Sequence, residues 1–231
     1  MLDPLTPQEW SAIALSLRVA AVASLLSLPF GIAVAWLLAR GRFVGRSLVD
    51  GVVHLPLVMP PVVTGYLLLL AFGTKGPIGG FFQRAFGIVF AFNWTGAALA
   101  AAIMGFPLMV RAIRLSIEAI DPRLAPAAAT LGARRIGILL TVTLPLAAPG
   151  ILAGVVLSFA RALGEFGATI TFVGNIPGIT QTVPLAIYTN AQVPGGELPA
   201  LRLTLIAVVV AFAALLVSET LARRVARRLA A

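Results

Sequence analysis

Apolar residues in this chain fall in long runs, with only short polar interruptions between them. A helix that crosses a bilayer takes about 20 predominantly apolar residues. The first run that suffices covers residues 10–39 and is broken only by Arg18 and by Pro29 with Gly31. Pro29 predicts a kink, and Arg18 is placed to snorkel toward headgroups. A second span is expected over 52–72, where HLPLVMPPVVTGYLLLL carries Pro56, Pro60, Pro61 and Gly65. These should break or distort the helix at membrane depth. Two readings stay open: a simple kinked helix, or broken backbone lining a pathway, because freed carbonyls in lipid need protein or a water-filled cavity. Residues 73–87 read as a Gly-rich external loop. The third span is 88–110, whose GAALAAAIMG suits close helix packing. A fourth is 146–172 and a last is 203–221. Between them, 173–201 is a polar external segment with Pro and Gly that can also dip back into the membrane.

One interruption differs from the rest. Residues 111–145 read RAIRLSIEAIDPRLAPAAATLGARRIGILLTVTLP and hold Arg111, Arg114, Arg123, Arg134 and Arg135. Asp121 followed by Pro122 is a helix-start signal, a capping carboxylate before a proline at the first helical position. Ala-rich sequence then runs to Leu131, and Gly132 is the usual left-handed stop. A short apolar run, 136–144, is expected to end at Pro145. The pattern is helix, sharp turn, helix, carrying positive charge outside the lipid. It predicts a segment gripped by a partner protein, with its movement passed to the spans on either side.

Composition agrees with a membrane bundle. Of 231 residues, 60% are hydrophobic and 11% charged, with a mean hydropathy of +1.03, where soluble chains carry about a quarter charged residues. The net charge of +9 would suit nucleic acid, but the arginines sit in short clusters between apolar runs, as the positive-inside rule places them. Arg40, Arg42 and Arg46, the five of the central interruption, and Arg223, Arg224, Arg227 and Arg228 fall on one side. Lys75, Arg84 and Arg202 fall on the other. The expectation is an all-α membrane protein of about five spans forming a single domain over 1–231, amino terminus outside and carboxyl terminus in the cytoplasm. MLDPLTPQEW has no basic n-region or small-residue cleavage site, so the first span is expected to stay.

Several chemistries are excluded. With no Cys there is neither a disulfide framework nor a thiolate metal site, and the lone His54 reads as structural or interfacial. The sole lysine, Lys75, precedes Gly76 and Pro77, so there is no Gly-Lys-Ser/Thr phosphate cradle. No carboxylate couple suits acid–base work. We assign no catalytic residue, metal ligand or cofactor, and any ATP would be handled by another subunit. What stands out is ARALGEFGATITF, where Arg161 and Glu165 are four apart and can pair on one helix face. This is the only charge pair expected to be buried. Ionisable groups at membrane depth usually face a cavity and function there; the bland alternative is an ion pair that merely orients its helix. The pathway or gate candidates are Pro60, Pro61, Thr64, Arg161, Glu165 and Thr169.

The central segment also matches a known pattern: Ala127, Ala128, three residues, Gly132, nine residues, then Val142, Thr143, Leu144 and Pro145. It resembles the EAA loop of ABC importer permeases. That resemblance implies the type I importer fold and a cytoplasmic coupling helix docked into a groove of an ATPase subunit, with Asp121, Ala127, Ala128, Gly132, Ala133, Arg134, Leu144 and Pro145 as the coupling residues. One departure is the missing glutamate at the start of the motif, where Ala125 and Pro126 stand. Within that superfamily, LPLVMPPVVTGYLLL at 55–69, FARALGEFGATITFVGNIPG at 159–178 and TQTVPLAIYT at 180–189 are similar to the molybdate permeases, with Ile179 where those often carry an acidic residue. The resemblance covers nearly all of the chain from Ser16. It implies a permease homodimer in the bacterial inner membrane, a ModC-like ATPase and a ModA-like periplasmic molybdate-binding protein, and alternating access as the mechanism. Sulfate, thiosulfate or tungstate is the alternative cargo, and an ion-gradient transporter is the alternative class.

Overall fold

The computed structural model describes residues 5–230, and every regular element in it is helical. The first four residues of the amino-terminal segment lie outside it, as do the side chains of Arg135, Arg223, Arg224, Arg227 and Arg228. Helix α1 spans Pro7–Arg40, opened by a capping box in which Thr6 and Glu9 bond each other's backbone N–H groups. Its 34 residues make a rod of about 50 Å, longer than the roughly 30 Å hydrocarbon core. Helix α2 (Arg46–Val58) and α3 (Pro61–Phe72) follow, then the short α4 (Pro77–Phe86) and the long α5 (Trp94–Glu118). The central segment holds α6 (Leu124–Thr130) and α7 (Arg135–Ile138), and a π-helical turn over Leu139–Thr143 leads into α8 (Leu144–Leu163). The chain closes with α9 (Gly167–Val173), α10 (Val183–Ala191) and α11 (Glu197–Ala230). Among the described residues, four helical stretches are long and apolar enough to cross a membrane, and the bent pair α2–α3 makes up to five.

α1, α5 and α8 form the centre of the bundle. α5 and α8 approach through small residues in register: a methyl on Gly105 would meet Ser158 Oγ at 2.6 Å, and one on Gly150 would meet Ser116 Cβ at 2.1 Å. Gly154 lies between them against Met109 and Ile113. Gly150, Gly154 and Ser158 recur every four residues and so line one face of α8, the counterpart of the small face expected on α5. Met104, Met109, Ile113 and Ile117 are fully buried beside them.

The structure revises several boundaries. α5 begins at Trp94 and continues to Glu118, two turns into the stretch read as a loop from Arg111. Residues 77–86, read as an external loop, form α4, which stacks Phe81, Phe82 and Phe86 on one another and Phe82 against Phe90. The external segment 173–201 contains α10, packed on α1 and α11. Arg18 does not simply snorkel: its guanidinium lies 3.8 Å over the Trp94 ring, a cation–π contact.

Candidate functional site

Two places carry the predicted residues. The first is the elbow between α5 and α8. Asp121 Oδ1 accepts the Arg123 N–H at 2.9 Å and the Asp121 carbonyl accepts the Leu124 N–H at 3.2 Å, so Asp121 caps a turn and the helix proper starts at Leu124, three residues beyond the capping signal. Pro126 explains the delay. It becomes the third residue of α6, where no backbone N–H needs an intrahelical partner. Gly132, at φ +87, ends α6 in a Schellman motif: Gly132 N–H donates to Ala129 O at 3.0 Å and Ala133 N–H to Ala128 O at 3.1 Å.

Pro145 does not end the second helix as expected. The π turn over 139–143 lets the Leu144 N–H reach back to Leu139 O, so Pro145, which has no N–H, sits at the start of a regular α8 and the chain continues through it to Leu163. Leu144 and Pro145 thus lie within one 28-residue apolar stretch, Ile136–Leu163.

None of α6 is buried. Leu131 is 89% and Ile136 72% exposed, with Leu124 and Leu140 also open and Arg134 beside them. The base of the elbow, by contrast, is fastened. Arg40 Nη2, at the end of α1, donates to Ile117 O and Ile120 O at 3.0 Å each, adding to the backbone bond that Ile117 O accepts from the Ile120 N–H and supplying a donor to a carbonyl just past the end of α5. Arg114 binds Asp50 at 3.0 Å and Glu118 at 2.8 Å, Arg46 lies 3.7 Å from Glu118, and His54 lies 3.3 Å from Asp50. His54 Nδ1 also lies 2.9 Å from the Asp50 carbonyl, so the ring packs at the edge of this network. Spacing of four marks the Arg114–Glu118 and Asp50–His54 contacts, but nothing local joins the two halves, because Asp50 and Arg114 are 64 residues apart.

The second place is a pair of interruptions. α2 and α3 meet at an angle of 113° across Met59 and Pro60, a break rather than a kink. Pro60 caps α3 and Pro61 is its first residue. The fourth span is broken as well: α8 ends at Leu163, with Gly164 as its cap, and α9 begins at Gly167. The structure brings the two breaks together. A methyl on Gly167 would meet Pro61 Cβ at 2.7 Å, and one on Gly65 would meet Ala168 O at 2.5 Å. Gly65 therefore does not distort α3 but lets it touch α9. Gly65→Ala is expected to cost about 1–3 kcal/mol through overpacking, whereas Gly51→Ala, with open space around it, should be neutral or slightly stabilising. Thermal unfolding of the two purified variants would compare them, and equal Tm values would refute the close contact.

Glu165 sits in the second break with its side chain only 1% exposed. Its Oε1 accepts the Ala168 N–H at 2.8 Å. Arg161 Nη1 lies 2.7 Å from Oε2, an ion pair by distance without hydrogen-bond alignment. The predicted pair is present, but Glu165 has left the helix that carries Arg161. Thr64 and Thr169 are buried nearby on α3 and α9, and Thr64 Oγ1 has no partner. Nor is the pair alone: Arg202 binds the buried Glu9 at 2.9 and 3.2 Å, which corrects the expectation of a single buried charge pair.

The described residues thus form an all-helical bundle in which two broken spans meet at their breaks. The chain belongs to the family described as "Binding-protein-dependent transport system inner membrane component", which matches residues 27–230, and it is a multi-pass inner-membrane permease. It is 60% identical over 219 residues to the molybdenum transport system permease protein ModB of Escherichia coli K12, covering 95% of this chain and 96% of that one. Against ModB of Haemophilus influenzae the identity is 57% over 221 residues, 96% of each chain. In fold it superposes on a chain from the crystal structure of a bacterial ABC transporter involved in import of the acidic polysaccharide alginate, with a TM-score of 0.75 and 19% identity over 95% of this chain and 80% of that one.

Proposed function

We propose that this chain is the membrane subunit of an ATP-driven molybdate importer and works by alternating access. The observation that carries the reading is its 60% identity, across 95% of its length, to a molybdenum transport permease. Two copies form the pathway, a ModA-like binding protein delivers the oxyanion from the outer side, and a ModC-like ATPase sits on the elbow. In this topology the amino terminus is periplasmic, and the elbow, the Arg40–Arg46 loop and the carboxyl terminus are cytoplasmic.

The exposed surface of α6 and its stop supports the docking role, because Leu124 and above all Leu131 stand exposed among the described residues and an apolar patch of this kind marks an interaction site. When the ATPases close on ATP, the elbows are drawn together. The Arg40 and Arg114 bonds pass that displacement to α1, α2 and α5, and α8 carries it directly. α8 leads to the Glu165 break and α2 to the Pro60 break, so the two interruptions are where a rigid-body motion is absorbed. Pairing Glu165 with Arg161 removes a bare negative charge that would repel the cargo, and Thr64 Oγ1 is a polar group available beside it.

The test is co-purification followed by reconstitution. A nucleotide-hydrolysing subunit should copurify with the chain, and the binding protein loaded with molybdate should stimulate hydrolysis more than the same protein offered sulfate or tungstate. Uptake that survives ATP depletion but collapses with the proton gradient would overturn the reading.

A further inference from the structure

An apolar cleft of about 660 Å³ opens between α1, α2 and α5. Its walls are two stripes with a four-residue repeat. Val22, Leu26 and Phe30 descend α1, while Trp94, Ala98, Ala102 and Phe106 descend α5, and residues four apart lie on one helix face. One turn above Val22 on the same stripe is Arg18, whose guanidinium lies 3.8 Å over Trp94. Arg18 is exposed and forms no ion pair with any carboxylate among the described residues.

We infer that this cleft binds an anionic phospholipid, its phosphate on Arg18 and an acyl chain between the α1 and α5 stripes. Three observations fix the occupant. First, the charge at the mouth is a guanidinium, which binds phosphate through paired N–H donors, and it is held in place by the indole. Second, the depth fits. At 1.5 Å per residue, Trp94 to Phe106 spans about 18 Å, close to the ~15 Å of one leaflet's hydrocarbon. Arg18 lies about 33 Å along α1 from Arg40 by the same rise, so Trp94 falls at the level where tryptophans anchor a span to the interface. Third, Leu26 and Phe30 are 68% and 69% exposed, so one wall stands open to an acyl chain entering sideways. In the topology proposed above, this is a site in the outer leaflet.

Trp94 reports on the site directly. The full-length chain carrying Trp10→Phe and Trp36→Phe keeps Trp94 as its only indole and can be titrated with phosphatidylglycerol or phosphatidylcholine bearing identical brominated acyl chains. Phosphatidylglycerol is expected to quench at about fivefold lower mole fraction, the factor equivalent to the ~1 kcal/mol a basic residue gains from an anionic membrane surface. Arg18→Gln should make the two lipids equal, and Arg18→Lys should keep most of the preference. Equal quenching by both lipids with Arg18 in place would overturn the site. So would the absence of quenching by either, the result if a second copy of the chain covers the cleft.

Discussion

Replacing Gly132 with valine is expected to cut ATP-driven molybdate uptake by about tenfold or more while leaving hydrolysis by the associated ATPase largely intact. The cause is backbone geometry alone. Gly132 sits at φ +87 with no atom within 4 Å of where a Cβ would be, so an added side chain meets no neighbour. Its penalty is the left-handed conformation, which costs an ordinary L-residue roughly 1–2 kcal/mol, a β-branched one more, and tenfold corresponds to about 1.4 kcal/mol. To escape, the chain would give up the Gly132–Ala129 and Ala133–Ala128 bonds, and α6 would no longer leave α7 at a fixed angle. A graded series follows: Gly132→Asn, which tolerates this region, stays near wild type, Gly132→Ala is intermediate and Gly132→Val is worst. Parallel measurement of uptake and hydrolysis separates uncoupling from misfolding. If the Gly132→Val and Gly132→Asn variants transported equally, the turn would not transmit force.

What is legible in the sequence is whatever is encoded locally. Gly132 as a stop, the small-residue face of α5 and an interruption at Pro60–Pro61, kink or break, all follow from single residue types with strong backbone preferences. The Arg161–Glu165 pair follows from a spacing of four. Features that depend on distant neighbours leave no such mark. Hydropathy does not separate α8 from α9, because both are apolar and no proline marks Gly164; the break shows only in the backbone, where α8 ends and α9 restarts at Gly167. The elbow's second helix runs past its apparent stop for a related reason, since a proline normally ends a helix and only a π turn just before it lets the chain run on. The clasp of Arg40 on α5 and the Asp50–Arg114 link join residues far apart in the chain, and no local pattern announces them, although Arg114 and Glu118 within the same network are four apart. Glu9 looks like an ordinary capping residue until the fold sets Arg202 beside it.

Breaking the pair at the second interruption should be strongly asymmetric. The Glu165 side chain is 1% exposed and that of Arg161 26%, so the two charges depend on each other unequally. Arg161→Met strands a buried carboxylate, and losing one member of a buried pair costs about 3–5 kcal/mol. Glu165→Gln keeps an oxygen for the Ala168 N–H and leaves a guanidinium that can turn toward water, for a cost nearer to about 1–2 kcal/mol. Combining the two should restore most of what Arg161→Met lost, because the stranded charge is gone. Thermal unfolding of purified chains tests this, and a double variant no more stable than Arg161→Met alone would show that the charges are not coupled. Uptake by the double variant then distinguishes the two roles left open for the pair. An ion pair that only orients α9 would be replaced by neutral side chains with transport recovered along with stability. A pathway group would not be, because the anion loses the cation it meets between Thr64 and the α8–α9 break. Recovered stability with uptake still depressed is the expected result.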